Sequence, residues 1–163
     1  MNSGKALRVG IMSDTHGLLR PEAKIFAGAC DYIIHGGDIG SQSILDQLAA
    51  LAPLIAVKGN NDRQPWAAHL PETEMIRVGG VFVYVIHDIS QLDIDPLAAG
   101  VQVIVSGHSH KPLIEQRGGI LYVNPGSCGP RRFTLPISVG EMMVEGTKVR
   151  ARTVELIETP TQV

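Results

Sequence analysis

Short apolar runs rich in Val and Ile recur along this 163-residue chain, and each one stops abruptly at a polar residue or a glycine. Six such runs lie at positions 7–13, 32–35, 54–58, 81–86, 101–106 and 120–123. Polar and apolar residues scarcely alternate within them, which is typical of strands buried on both faces. The pattern therefore predicts sheets that are covered by other layers of structure.

Two helices are predicted between the first three runs. Pro21–Ala29 begins with a proline, which is tolerated in the first turn of a helix. Gln42–Ala50 follows Ser41, a residue type that is favoured at the N-cap. Strand and helix thus alternate through the early part of the chain.

The second half of the chain predicts two hairpins, because glycine supplies the positive φ that tight hairpin turns need. Their strands lie at 75–78 with 81–86 and at 137–144 with 148–156, around the turns Gly79-Gly80 and Glu145-Gly146. Together these elements predict an α/β (α+β) fold. We expect a four-layer αββα sandwich of two mixed sheets flanked by helices, with the functional site at the carboxyl ends of the strands.

Length and composition predict one soluble domain over residues 1–163, with a frayed tail from about residue 158. A chain of this size with 44% hydrophobic residues can bury a substantial core. The net charge of −2 and the 18% content of charged residues give no sign of a dedicated nucleic-acid surface. The first apolar run is too short for a signal segment or a membrane span, so we expect a cytoplasmic protein that does not bind membranes.

The polar residues that follow the strands are all types that ligate metals. Seven of them stand at five strand ends: Asp14, His16, Asp38, Asn60, His87, His108 and His110. From this chain's composition, a chance Asp-x-His is expected about 0.3 times, whereas Gly-His-x-His and Gly-Asn-x-Asp are each expected about 0.02 times. Single Asp or Asn residues could equally be turn residues or helix caps. That alternative does not explain why all five sites follow strands.

The donor types predict the kind of metal. Imidazoles, carboxylates and an amide oxygen, with no thiolate, suit Mn, Fe, Co, Ni or Zn ions in open geometry better than a closed structural zinc site. A shared carboxylate can hold two such ions about 3.5–4 Å apart with a hydroxide between them. The pattern therefore indicates a dinuclear centre for hydrolysis at phosphorus.

The ordered blocks resemble those of the calcineurin-like metallophosphoesterase family. They are Asp14-Thr15-His16, Gly37-Asp38, Gly59-Asn60-Asn61-Asp62, His87 and Gly107-His108-Ser109-His110. The short chain and the stretch Asn124-Pro125-Gly126-Ser127 are similar to the small bacterial and archaeal YfcE-like phosphodiesterases in particular. The resemblance extends from about residue 9 to about residue 131.

That resemblance implies a role for each residue. Asp14, His16 and His110 would bind the first ion, Asn60, His87 and His108 would bind the second, and Asp38 would bridge both. Asp38, Asn60 and Asp62 would be the catalytic residues, with Asp62 orienting a ligand imidazole. The implied cofactor is a pair of divalent ions, Mn²⁺ first, with Ni²⁺, Fe²⁺, Co²⁺ or Zn²⁺ as alternatives. The implied reaction is in-line attack of the bridging hydroxide on a small phosphodiester.

Two positions depart from the family pattern. Asn61 stands where many relatives carry a histidine that is proposed to protonate the leaving group, and an amide is not a general acid. Asp88 stands after the ligand His87, where YfcE-like proteins commonly continue with Gly-His. These two positions leave the leaving-group chemistry and the substrate open.

Two further functions fit the same sequence. One is a phosphomonoesterase or nucleotidase that uses the same site, with Arg63 and Arg131 as candidates to bind a dianionic phosphate. The other is a binding scaffold without catalysis, like the small retromer subunit of this fold, although here all seven ligand positions are filled. A homo-oligomer formed through an exposed hairpin is also compatible with the sequence.

Overall fold

The computed structural model describes residues 5–157, so the tail that we predict from residue 158 lies outside the described residues. Within them the strands are β1 (Leu7–Met12), β2 (Tyr32–His35), β3 (Leu54–Ala56), β4 (Thr73–Val78), β5 (Val81–Ile86), β6 (Val103–Val105), β7 (Leu113–Arg117), β8 (Ile120–Asn124), β9 (Ile137–Glu145) and β10 (Lys148–Ile157). The α-helices there are α1 (Pro21–Gly28) and α2 (Gln42–Ala49).

The strands form two five-stranded sheets, and both sheets are mixed as predicted. The first has the order β10-β9-β1-β2-β3. In it β1, β2 and β3 are parallel to one another, β9 is antiparallel to β1, and β10 is antiparallel to β9. The second has the order β4-β5-β6-β8-β7, with β5, β6 and β8 parallel inside two antiparallel edges. The alternating strands and helices at the start of the sequence therefore build the first sheet, and each sheet contains one of the two predicted hairpins.

Three apolar clusters hold the layers together. Valine side chains from both sheets, among them Val9, Val83 and Val105, fill the space between the sheets. The helices α1 and α2 cover the outer face of the first sheet through residues such as Ala27 and Leu48. Burial of such side chains is the main stabilising contribution to a sandwich of this kind.

The outer face of the second sheet has a thinner cover. Tyr84, Ile104 and Ile120 form its buried cluster, and Leu92 and Ile94 pack against them. The covering segment contains the 3₁₀ helix Ile89–Gln91 rather than an α-helix. The αββα layering is confirmed, with this last layer reduced to one helical turn and loops. No helix within residues 5–157 combines the length and the apolar character needed to cross a membrane.

Several element boundaries differ from the sequence prediction. The strand β7 was not predicted, because its sequence LIEQR is half polar and its residues lie at a partly exposed sheet edge. The first hairpin strand begins at Thr73 rather than Met75. Ser41 does precede α2, but its side chain makes no capping hydrogen bond.

Candidate metal centre

The seven predicted ligands lie in five loops at one end of the sandwich. The loops after β1, β2 and β3 belong to the first sheet, and those after β5 and β6 belong to the second. Both sheets therefore contribute to the centre, the first with four of the predicted ligands and the second with three. The imidazoles of His16 and His110, one from each sheet, come within 3.4 Å of each other through their Nε2 atoms.

Asp14 is fully buried, and its two carboxylate oxygens have different surroundings. Its Oδ2 accepts hydrogen bonds from the Ser13 hydroxyl at 2.6 Å and from the His108 backbone N–H at 3.0 Å. Its Oδ1 is buried without a hydrogen-bond partner in the described part of the chain. That oxygen instead faces Nε2 of His110 at 3.4 Å and Nε2 of His16 at 3.6 Å. An unpartnered buried carboxylate oxygen beside two imidazole nitrogens fits a cation site.

The charges of this group agree with that geometry. Burial alone would raise the pKa of Asp14, but the facing imidazoles of His110 and His16 and the hydrogen bond from Ser13 hold it well below its usual range. The nearby Asp14 carboxylate raises the pKa of His16, although burial opposes this shift. Positive charge is therefore favoured at the point where these three ligand atoms meet. A divalent cation would supply the same positive charge there.

Asp38 lies between the two halves of the centre. Its Oδ2 is 3.4 Å from Nε2 of His87 and 3.7 Å from Nε2 of His16. Asn61 holds both oxygens of this carboxylate, since its backbone N–H donates to Oδ1 and its side-chain amide donates to Oδ2, each at 2.9 Å. Burial would raise the pKa of Asp38, but His87 and Asn61 lower it below its usual value. The carboxylate is therefore ionised and fixed in orientation.

The ring of His87 is oriented by the backbone of another loop. Its Nδ1 donates to the carbonyl of Gly36 at 2.7 Å. Its Nε2 therefore faces Oδ1 of Asn60 at 3.0 Å and the Asp38 carboxylate. A backbone acceptor that fixes the second nitrogen is the usual support of a metal-binding imidazole. Burial lowers the pKa of His87, yet its bonds to Asp38 and Gly36 raise it above the usual value.

Two groups of ligand atoms converge to within 4.8 Å in residues 5–157. One is Asp14, His16 and His110, and the other is Asp14, Asp38 and His87. His108 is in neither group: its side chain is 45% exposed, and its Nε2 lies 3.8 Å from Oδ2 of Asp88. Its ring meets His87 edge-on, with ring centroids 5.1 Å apart. Six predicted ligands are thus close together, and His108 stands at the exposed rim.

Asp62 does not have the contacts that we expected. Its Oδ1 and Oδ2 accept backbone N–H groups of Ile39, Gly40 and Gly59 at 2.9–3.2 Å. Among the described residues, the hydrogen bonds of this carboxylate go to backbone amides and not to an imidazole. The expectation that Asp62 orients a ligand histidine is therefore wrong. The carboxylate joins the loop after β2 to the loop after β3, and so fixes Asp38 relative to Asn60.

Backbone strain is concentrated at the ligands. Six non-glycine residues in residues 5–157 have positive φ: Asp14, His16, Asp38, His108, His110 and Phe133. Each such residue costs of order 1–3 kcal/mol, and such strain is found mainly at functional sites. Five of the six are predicted metal ligands. The loops are thus held in conformations that place these side chains at the cost of local stability.

Sequence reasoning missed several residues that hold the ligand loops. Asn124 donates to the carbonyl of Gly107 and to the Ser109 hydroxyl, and Ser127 donates to the carbonyl of Asp14. Both residues are buried, and their hydrogen bonds hold the ligand loops in place. The only sequence signal for these contacts was the stretch Asn124-Pro125-Gly126-Ser127, which also supports the family resemblance.

His35 is a buried structural residue, as its place in an apolar run suggests. Its Nε2 lies 3.0 Å from the Thr15 hydroxyl, which itself donates to the carbonyl of Ile39. Its Nδ1 accepts the backbone N–H of Gly37. Desolvation lowers the pKa of His35 to about 4, so the ring is neutral. The histidine thus joins the loop after β1 to the loop after β2.

Two clefts open beside the centre, one on each side of Asp88. The first has a volume of about 560 Å³ and is lined in part by Asn60, His87 and Asp88. The second has a volume of about 490 Å³ and is lined in part by Asp88, His108 and Leu113. The candidate metal centre therefore lies between two separate spaces that a ligand can enter.

Comparison with known proteins shows the family to which the chain belongs. A sequence model of the calcineurin-like phosphoesterase superfamily domain matches residues 7–147. A probable metallophosphoesterase of Methanothermobacter thermautotrophicus is 38% identical over 93% of this chain and 92% of its own length. The chain belongs to the calcineurin-like phosphoesterase superfamily, a family that binds divalent metals.

Solved structures agree with this assignment. A structure described as a novel archaeal phosphodiesterase has a TM-score of 0.74 and 26% identity, over 91% of this chain and all of its own. YfcE, a phosphoesterase from E. coli, has a TM-score of 0.65 and 20% identity over 93% of this chain and all of its own, so the predicted resemblance is confirmed. Vacuolar protein sorting 29 from Cryptosporidium parvum has a TM-score of 0.80 and 20% identity over 96% of this chain and 95% of its own, which shows the shared fold.

Proposed function

We propose that this chain is a phosphodiesterase that depends on two divalent ions. The observation that carries the proposal is the buried Oδ1 of Asp14, which has no hydrogen-bond partner among the described residues and faces two imidazole nitrogens at 3.4 and 3.6 Å. Leaving such an oxygen buried and unpaired is costly unless a cation binds there. The superfamily membership agrees with this interpretation.

The two ions would have separate ligand sets and one shared carboxylate. Asp14, His16 and His110 would bind the first ion. The second would lie with Asn60, His87 and His108, and Asp38 would serve both. The position of Asp38 Oδ2, 3.4 Å from His87 and 3.7 Å from His16, supports the shared role. Nitrogen and oxygen donors without a thiolate suit Mn²⁺, Ni²⁺, Fe²⁺, Co²⁺ or Zn²⁺, and the family resemblance puts Mn²⁺ first.

The bound ions would supply a bridging hydroxide for in-line attack and would polarise the phosphoryl oxygens. The protein's own contribution is to position the groups. Asn61 holds the shared carboxylate of Asp38, and Gly36 holds the ring of His87. Asp62 joins the two loops that carry Asp38 and Asn60, so its catalytic role is positional.

Three observations favour a diester over a monoester substrate. A diester carries two ester arms, and a cleft opens on each side of Asp88. The arginines proposed for a dianionic phosphate are partly engaged elsewhere: Arg63 donates to the carbonyl of Asn60, and Arg131 donates to the carbonyl of Leu135. The Asp88 carboxylate beside His108 would also repel the second negative charge of a monoester.

Leaving-group chemistry gives a first test. Asn61 uses its amide to hold Asp38 and cannot donate a proton as an acid, so a factor of roughly 10²–10⁴ from acid catalysis is missing at that position. We expect the chemical rate to fall steeply from nitrophenyl to alkyl leaving groups in a diester series. Single-turnover rates plotted against leaving-group pKa measure this slope. A flat plot would contradict this expectation and would indicate that another residue acts as the general acid.

The direct test is metal analysis of protein purified without chelator, followed by Mn²⁺ activation assays on diesters and monoesters. Protein without metal that also lacks Mn²⁺-dependent hydrolysis would favour the binding scaffold, the role that the shared fold of vacuolar protein sorting 29 keeps under consideration. Monoester hydrolysis in excess of diester hydrolysis would favour the monoesterase.

The variant Asp38→Asn tests the shared carboxylate. We expect loss of both ions and of hydrolysis, because the amide brings one less negative charge to both ligand sets. Asp46→Asn, an exposed change on α2, is the matched control and should bind both ions. Full Mn²⁺-dependent hydrolysis by Asp38→Asn would rule out the mechanism.

A further inference from the structure

The two clefts beside the candidate metal centre differ in chemistry. The cleft on the His87 side is lined by three carboxylates, Glu72, Asp88 and Asp93, against one cation, Lys58. The cleft on the His108 side is mostly apolar. Its apolar wall consists of Ile89, Pro112, Leu113, Tyr122 and Val123. A ligand that spans the centre therefore meets unlike surfaces at its two ends.

The apolar cleft exposes side chains that a folded protein normally buries. Leu113 is 48% exposed and Ile89 is 37% exposed, and both line this same cleft. They come from different layers, since Leu113 is on the edge strand β7 and Ile89 is in the 3₁₀ helix over the second sheet. Exposed apolar residues that are grouped in one concave site mark a ligand surface more often than scattered ones do.

The charged groups of the cleft are engaged with neighbours other than Leu113 and Ile89. The guanidinium of Arg117 lies over the ring of Tyr122 at 4.4 Å and pairs with Glu115 at 3.4 Å. Oδ1 of Asp88 accepts the backbone N–H and the hydroxyl of Ser90. Leu113 and Ile89 therefore remain exposed in a cleft that is also lined by Gly107 and His108 of a ligand loop.

We propose that the cleft beside His108 is a subsite for an apolar alkyl or aryl ester arm of a phosphodiester, packed against Leu113 and Ile89. The phosphoryl group of this ligand would lie at the candidate metal centre, so the proposal rests on the proposed function. The other arm would point into the acidic cleft and would carry hydroxyl or cationic groups. The substrate class is thus a diester with two unlike arms.

Equilibrium binding tests the subsite without relying on catalysis. Dimethyl phosphate and hexyl methyl phosphate have the same charge and differ by five methylenes. Each fully buried methylene raises affinity about fourfold. We expect the hexyl ester to bind at least about tenfold more tightly to the Mn²⁺-loaded protein in isothermal titration calorimetry, because tenfold requires fewer than two buried methylenes.

Variants at matched sites locate the effect. Leu113→Asn should reduce the ratio of the two dissociation constants by about fivefold, whereas Leu113→Met should keep it. Met75→Asn is the control, because Met75 is 41% exposed on β4, the opposite edge of the same sheet. Thermal unfolding checks that each variant is folded.

The outcomes separate this proposal from the proposed function. Equal affinity for the two esters, or an equal effect of Leu113→Asn and Met75→Asn, would overturn the apolar subsite. Absence of Mn²⁺-dependent hydrolysis of nitrophenyl diesters would overturn the enzyme. Chain-length-dependent binding that is lost only in Leu113→Asn supports the subsite whatever the hydrolysis assay gives.

Discussion

Asp88 places a fixed negative charge at the mouth of both clefts. Burial would raise its pKa, but the hydrogen bonds from Ser90 lower it below the usual value, so the group is ionised at neutral pH. Its Oδ2 is 3.8 Å from Nε2 of His108. The residue therefore acts on any ligand charge that approaches from the rim of the centre.

The variant Asp88→Asn should change selectivity. A monoester dianion carries one more negative charge than a diester, so removing the carboxylate should favour it. We expect kcat/KM for a monoester relative to a diester to rise about 5-fold to 10-fold. Asp95→Asn makes the same charge change in the exposed part of the same segment and should leave the ratio unchanged. An equal loss with both substrates would instead indicate that Asp88 orients His108.

His35 should make stability depend on pH below neutrality. Its pKa is lowered from 6.5 to about 4 by burial, so between these values the unfolded chain binds a proton that the folded chain does not. The free energy of unfolding should therefore fall by about 3 kcal/mol as the pH drops through this window. His16 and His87 act at higher pH, since their raised pKa values stabilise the fold below 6.5 and this contribution is lost as the pH rises through those values.

The variant His35→Gln isolates that contribution. It should be less stable at neutral pH because the contacts of the ring are altered, yet its stability should change less between pH 6.5 and pH 4. Urea denaturation at several pH values measures the slope. His69→Gln changes an exposed loop histidine and should keep the wild-type slope. The same slope in His35→Gln would show that another group titrates there.

At the scale of the elements, the ligand loops require glycine at close approaches. A Cβ built at Gly59 would overlap the backbone nitrogen and Oδ1 of Asp38. The φ of Gly59 is not positive, so glycine is required there for steric reasons and not for its backbone conformation. The loop after β3 can thus lie against the loop after β2 only without a side chain at this position.

The variant Gly59→Ala should displace Asp38. We expect metal affinity to fall at least about tenfold and the free energy of unfolding to fall by about 1–3 kcal/mol. Gly28→Ala is the control, because the added Cβ would lie 3.9 Å from Leu51 Cδ2, an ordinary contact distance, and alanine is favoured in helices. Wild-type metal titration curves for Gly59→Ala would show that the loop adapts.

The sequence predicted those elements whose signals are local. Pro21 and Ser41 marked the two helix starts, and glycine marked the turns after β4 and β9. The edge strand β7 was missed because its partner β8, and not its own sequence, determines its pairing. Boundaries such as that of β3 depend on the register with β2, which a local pattern does not contain.

The candidate site shows the same division between local and tertiary information. The sequence alone predicted the metal-binding residue types at the strand ends, and the family resemblance assigned each of them to one of the two ions. The predicted partner of Asp62 was wrong because the N–H groups of Ile39 and Gly40, 23 and 22 positions away, meet its carboxylate only in the folded loops. Ser127 likewise contacts Asp14 across 113 positions, which no spacing rule reveals.

At the scale of the whole molecule, the centre joins two sheets whose facing sides pack through an apolar cluster. We expect the melting temperature to rise with Mn²⁺ concentration, because an ion that binds only the folded state adds about 2.7 kcal/mol at 100 times its dissociation constant. Thermal scans over a range of Mn²⁺ concentrations, with chelator reversal, measure this. Asp38→Asn is the matched control and should show a much smaller rise. An Mn²⁺-independent melting temperature in the wild type would speak against the centre.

The split of the ligands between the sheets also bears on the order of events during folding. His16 and His110 are 94 positions apart, and their nitrogens meet only when both sheets are formed and packed together. Closing such long loops is slow compared with forming a helix or a hairpin. A complete ion site therefore arises at the last stage of assembly, and the binding of Mn²⁺ in a refolding experiment would time the docking of one sheet onto the other.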